Sequence, residues 1–176
     1  MIGNSIAGFL GEGAAPAASN SFESIATINI SGSNNFSFTS IPSGFTHLQL
    51  RTTGKINGTM NLQFNGDTTA NYSNHYLYGA ASAAGASADI SATDIKFGYA
   101  GGDTIVQAGI MDIVDYRSTN KAKTVKYLFG QENNTAGAIW IASGSWFKTP
   151  EAITTIRVFS TFNWATGSTI ALYGVK

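Results

Sequence analysis

The chain has 176 residues, ten of them basic and ten acidic, and no cysteine. Balanced charge gives it no general attraction to nucleic acid or to an anionic membrane, and the lack of thiols excludes disulfides and thiolate metal sites. Charged side chains are 11% of the total, against about 25% in an ordinary soluble domain, and short polar residues that favour turns and strands over helices take their place.

In chain order, the first twenty residues, MIGNSIAGFLGEGAAPAASN, stand apart from the rest. They lack the basic start and long apolar run of a signal peptide, and no stretch of the chain reaches the length of a membrane span, so synthesis in the cytoplasm without membrane insertion is expected. Ile2, Ile6, Phe9 and Leu10 form a short apolar cluster, and GEGAAPAASN behind it has linker chemistry. The segment reads as an anchor that plugs into another protein, in preference to a first strand of the same domain. Residues 21–176 then form one folded domain.

From Phe22 onward, period-2 alternation predicts half-buried strands. Ala26, Ile28 and Ile30 alternate with Thr27 and Asn29, Thr46, Leu48 and Leu50 with His47 and Gln49, and Met60, Leu62 and Phe64 with Asn61 and Gln63. Turn chemistry separates them: SGSNN at 31–35, IPSG at 41–44, and Asn-Gly at 57–58 and 65–66. The low-complexity stretch GAASAAGASADIS, 79–91, predicts a loop or apical excursion. GYAGGD at 98–103 reads as a turn, and DYRSTNKAKT at 115–124 as a solvated connection with room for one helical turn. Further strands at 105–114, 125–129, 138–143, 153–159 and 169–175 bring the expected total to eight to ten, the pattern of an all-β sandwich. The last strand is apolar on both faces, Ile170 and Leu172 on one and Ala171, Tyr173 and Val175 on the other. It is expected to lie centrally, with one face covered by the second sheet and the other by a neighbouring subunit or loop.

Motifs for catalysis are missing. Two histidines, His47 and His75, come without metal-ligand spacing, and Asp89, Asp94, Asp103, Asp112 and Asp115 show no pairing of the kind a glycosidase needs. Asp112 and Asp115 are expected to bridge to Arg117 and Lys121. No nucleophile elbow, phosphate loop or dinucleotide fingerprint occurs, so no enzyme, metal or cofactor is expected. Tyr72, His75, Tyr76 and Tyr78, in NYSNHYLYG, form a candidate recognition cluster, because tyrosine joins an apolar ring to a polar tip. They would alternatively cover the open end of the sandwich. Trp140, Trp146 and Trp164 could stack on a sugar, but sealing the core or a subunit seam is the preferred reading.

The succession FESIATINISGS, FTSIPSGFTHLQLR, LQFNGDTTANYSNHYLYG, MDIVDYRSTNKAKTVKYLFG, ASGSWFKTPEAITTI and FNWATGSTIALYGVK resembles a group of tailed-bacteriophage virion proteins, over about Phe22 to Lys176. IPSGFTHLQLR, the FNGD and NYS pair, and GSTIALYGVK carry it most strongly. The resemblance implies an antiparallel jelly-roll-like β-sandwich, a homotrimer, and a place in the virion beside other virion proteins of the tail, baseplate or capsid. The expected role is a short tail-fibre or adsorption protein. Ile2, Ile6, Phe9 and Leu10 would anchor it, Tyr72, His75, Tyr76 and Tyr78 would face a host-surface receptor such as a glycan, and Tyr173 and Val175 would lie at the trimer interface. A capsid decoration protein is the alternative.

Overall fold

The structure, a computed structural model, describes residues 21–134 and 137–176, and of residues 99–104 the backbone alone. The expected anchor residues Ile2, Ile6, Phe9 and Leu10, and the side chain of Asp103, lie outside the described residues. Ten strands and no helix occur among those described: β1 (Phe22–Asn29), β2 (Asn35–Phe38), β3 (His47–Phe64), β4 (Tyr72–Ala80), β5 (Ala83–Ala92), β6 (Ile95–Val114), β7 (Lys123–Glu132), β8 (Gly137–Trp146), β9 (Ile156–Ser160) and β10 (Thr169–Val175).

All pairings are antiparallel, and the strands join in one hydrogen-bonded sheet that runs β1-β10-β3-β6-β7-β8-β4-β5, with β9 on β3 and β2 on β9. The sheet makes a sandwich by folding over itself, because β3 and β6 are long enough to serve both layers. The first half of β3, 47–53, pairs with β10, and its last five residues, 60–64, pair with β9. The second half of β6, 106–114, pairs with β7, while its first half, 95–102, follows β3 into the other layer. Phe97 of that first half then packs edge-on to Tyr127 of β7 at 5.4 Å. A Cβ on Gly109, in the second half of the same strand, would lie 2.9 Å from the Phe97 ring. The two halves of one strand thus face each other across the core, and the fold is the expected all-β, jelly-roll-like sandwich.

The bend in β3 has a chemical cause. Between Gly54 and Ile56 the register with β6 slips by a bulge, which leaves the Lys55 N–H without a ladder partner. The Ser168 hydroxyl accepts that N–H at 3.0 Å. Ser168 can come so close only because Gly54 has no side chain: a Cβ there would sit 2.1 Å from Ser168 Oγ and 2.7 Å from its Cα. With φ at +154°, Gly54 also holds a conformation that L side chains avoid.

Several expected turns and loops are strands instead. Residues 79–91 belong to the β4–β5 hairpin, closed by Ala81 and Ser82, and β5 forms through main-chain bonds to β4 although its side chains are nearly all exposed. Alanine and serine on both of its faces erased the periodicity. Asn57-Gly58 and GYAGGD lie inside β3 and β6 and pair with each other, Asn57 opposite Gly101 and Gly58 opposite Ala100. Asn65-Gly66 is a tight turn, with φ of +51° and +69° and Asp67 N–H donating to the Phe64 carbonyl at 2.9 Å. The tract 115–124 contains a turn and no helix.

Gly54→Ala is expected to destabilise the fold by at least about 2 kcal/mol, because the Ser168 backbone must move. Gly44→Ala, with no atom within 4 Å of the added Cβ, should leave urea unfolding unchanged. Equal midpoints for the two variants would show that the bend is not built this way.

Candidate functional site

The tyrosine stretch sits on β4, and strand alternation divides it. Tyr72, Asn74, Tyr76 and Tyr78 face the interior, while His75 and Leu77 face out. Tyr72, expected at a receptor surface, is 1% exposed and belongs to the core, stacked on Trp146 at 6.3 Å. Its hydroxyl accepts from Phe64 N–H at 2.9 Å and donates to the Asp67 carbonyl at 3.1 Å. Burial pushes its ionisation well above the usual phenol range. His75 is turned away from the other three and lies in an outward row with Ser143, Lys126 and Asp112.

Tyr76 and Tyr78 stay together, their rings 6.4 Å apart. Register sets them in two inward rows, Tyr76–Ala142–Tyr127 and Tyr78–Trp140–Phe129, across β4, β8 and β7. Thr59 of β3 and Lys96 and Gly98 of β6 face this floor, and with Ser87 of β5 they enclose a cleft of about 470 Å³. Two features hold its shape. The Tyr78 ring lies over Gly85, where a Cβ would come within 2.6 Å of the phenol. Asn74, fully buried, donates to the Asp94 carbonyl at 3.0 Å and accepts from Lys96 N–H at 3.2 Å, tying the start of β6 to β4.

Lys96 Nζ lies 2.9 Å from Asp89 Oδ2. The Asp89 carboxyl beside it raises the ammonium's pKa against the opposing effect of burial, so Lys96 stays charged. Burial pushes the Asp94 carboxyl upward and the Tyr127 hydroxyl far above its ordinary range, leaving Tyr127 a neutral hydroxyl at physiological pH.

A second feature covers the opposite face of the same strands. Leu77, Ile141, Leu128 and Ile110 form one cross-strand row, flanked by Ile139. Leu77, Leu128, Ile139 and Ile141 are 45–61% exposed. Beside them an open groove of about 800 Å³ runs along Val106, Ala108, Ile110 and Leu128. This face, and not the last strand, is the broad apolar surface. Strand β10 is central as expected, between β1 and β3, and Tyr173 and Val175 are only half-buried. The cover on Tyr173 comes from its own chain: the Arg51 guanidinium sits 4.6 Å from its ring and 5.2 Å from that of Phe22.

The remaining candidates are structural. Trp146 and Trp164 are buried in the core, and Trp140 forms the floor of the cleft. Asp115 pairs with Lys121, Asp112 accepts from Gln49 at 2.8 Å, and Arg117 donates to the Ser43 carbonyl. Among the described residues no group of three His, Asp or Glu side chains could hold a metal, and no helix is long and apolar enough to cross a membrane. Lys96, Tyr127, Ser87 and the outer row escaped the sequence reading. The run AIWIAS, apolar on alternate and intervening positions alike, carried the signal for the outer row. Compared with known proteins, the chain matches no family model, no curated protein and no solved structure.

Below the cleft, Asp67 fixes the turn between β3 and β4. Its carboxylate accepts from Trp146 Nε1 and Asn71 Nδ2 at 2.8 and 2.9 Å, and from the Thr69 amide and hydroxyl. Burial raises its pKa, but these four donors outweigh it and hold the carboxyl well below the usual range. Asp67→Asn, which turns an amide toward donors, is expected to lose about 2 to 4 kcal/mol at pH 7. An unfolded aspartate titrates near ~3.9, so this stabilisation is complete above that pH and lost as pH falls toward the lower folded value. The gap between wild type and variant in urea unfolding should narrow from pH 5 to pH 2. A constant gap would assign the loss to shape instead of charge.

Proposed function

We propose that the chain is a structural protein of a tailed-bacteriophage virion, a small adsorption or tail-fibre module that binds and assembles and does no catalysis. The apolar outer face of β6, β7, β8 and β4 carries this reading, in a chain whose charge is too sparse to keep copies apart. Four strands about 4.8 Å apart and about five residues long at ~3.4 Å each make an apolar patch of roughly 330 Å², within the range of functional patches that monomers expose. The polar row of His75, Ser143, Lys126 and Asp112 beside it extends the face toward one partner's share of an interface. Around a threefold axis three such faces turn inward, each meeting its two neighbours. Covering a half-exposed Leu or Ile gains about 1 kcal/mol, and the row repeats that gain several times in each copy.

In this assembly Tyr173 and Val175 lie toward the rim and the outer row forms the centre. The anchor of Ile2, Ile6, Phe9 and Leu10, with its linker, attaches the trimer to a tail or baseplate site, as the resemblance implies. The cleft, on the far side of each sheet, points away from the axis toward the host surface.

Sedimentation of the wild type should give a trimer, and Leu128→Asp combined with Ile141→Asp should give a folded monomer, since both side chains are exposed in the single chain. A wild-type monomer at micromolar concentration would refute the assembly. Deletion of residues 1–20 should keep the trimer but abolish incorporation into particles. A label imaged on the tail supports the adsorption role, and label spread over the head assigns the decoration role in its place.

A further inference from the structure

We infer that the cleft between β4 and β6 is a binding site for a neutral saccharide. The inference rests on the adsorption reading and names the ligand class of that surface. A pyranose ring has flat faces of C–H groups and a rim of hydroxyls, so a site for it needs aromatic surface beneath and donors and acceptors at the edge. The cleft offers both. Tyr76 and Tyr78 supply half-buried rings over a floor of Tyr127 and Trp140, and Lys96, Ser87 and Thr59 supply the polar groups, with Asp89 paired behind Lys96. Its volume of about 470 Å³ falls within the ~300–1,000 Å³ typical of small-ligand sites.

The charge pattern selects a neutral ligand. Among the described residues lining the cleft Lys96 is the single charged side chain, and Asp89 already neutralises it at 2.9 Å. A phosphate or uronate would compete with Asp89 for the ammonium, whereas a sugar hydroxyl can accept from Lys96 without disturbing the pair. The rim also suits a polymer. Opposite Tyr76 and Tyr78, β5 carries Ser87, Ala86 and Gly85, small residues that leave the mouth low enough for a chain to continue past the site. Because Gly85 seats the Tyr78 ring and the Asn74 bonds fix β6, the site is formed before the ligand arrives, which reduces the ordering cost of binding.

Trp140, 8% exposed at the floor of the cleft, provides the readout, since Trp146 and Trp164 are 0% and 1% exposed and line no part of it. The full-length protein would be titrated with maltotriose, cellotriose, chitotriose and mannotriose, with trigalacturonate and inorganic phosphate as the acidic arm, and tryptophan fluorescence followed. At least one neutral sugar should bind at millimolar concentration or below. Tyr76→Ala should weaken it tenfold or more, and Gly85→Ala, which displaces the Tyr78 ring, several-fold. Gly44→Ala, which lines neither the cleft nor the outer row, should leave it within twofold. If Tyr76→Ala fails to fold, Tyr76→Phe serves, with a several-fold loss expected from the missing hydroxyl. No response to any neutral sugar, a preference for the acidic arm, or affinity indifferent to the Tyr76 and Gly85 variants overturns the inference. Protein that joins particles yet binds none of these sugars would remove the saccharide and leave the virion reading intact, and sugar binding by protein absent from particles would do the reverse.

Discussion

The architecture depends on closing one folded sheet at a fixed spacing, and a buried carboxylate sets that spacing. Asp67 stands where the chain leaves β3 in one layer for β4 in the other, and it reaches Trp146 of β8 at 2.8 Å. The Trp146 ring in turn packs on Phe64 at 5.6 Å and Tyr72 at 6.3 Å. Three strands from the two layers therefore meet at one hydrogen-bonded joint. Unlike a purely apolar contact, which tolerates sliding, a carboxylate with four donors has one geometry. The height of the cleft, which begins four residues farther along β4 at Tyr76, follows from it.

The segments on which the expected phage resemblance rests coincide with such joints. FNGD and NYS contain Asp67, Asn71 and Tyr72. IPSGFTHLQLR and GSTIALYGVK meet each other: Thr46 N–H donates to the Val175 carbonyl at 2.8 Å, and Phe45 covers Gly174, where a Cβ would lie 2.2 Å from the ring. Ser168, in the second of these segments, also locks the bend at Gly54. These positions demand particular residues because a turn, a close backbone approach or a buried donor leaves little choice. Much of the remaining sequence needs only to alternate.

That difference explains what could be read in advance. The class of fold, the central place of the last strand, the Asn65-Gly66 turn and the core role of Trp146 and Trp164 follow from composition, alternation and turn chemistry, all of which are local. Strand β5 could not be read, because its evidence is main-chain pairing with β4 and its alanines give no period. The continuity of β3 and β6 through Asn57-Gly58 and GYAGGD was hidden for a related reason: glycine there serves a bend between layers, yet looks like a hairpin turn. The tyrosine cluster was half legible. Alternation places Tyr72, Tyr76 and Tyr78 on one face, but only the point at which the opposite layer stops decides that Tyr72 is core and the other two line a cleft. The partner of Tyr173 lay 122 residues earlier in the chain, in Arg51, where no local pattern could point to it.

Strands β4, β7 and β8 carry both proposed surfaces, one on each face. Leu77 stands between Tyr76 and Tyr78, Leu128 beside Tyr127, and Trp140 between Ile139 and Ile141. A period of two allows a single stretch of about ten residues to encode a cleft and an assembly face together, since neighbours never compete for the same side. The arrangement also couples them. Burying the outer row in a trimer would stiffen the sheet that forms the floor of the cleft, and three clefts held at fixed separation would turn weak contact with one sugar into firm attachment to a surface that repeats it. Millimolar affinity at each site would then suffice for the proposed adsorption, so a shallow aromatic cleft would be adequate and a deep charged pocket unnecessary.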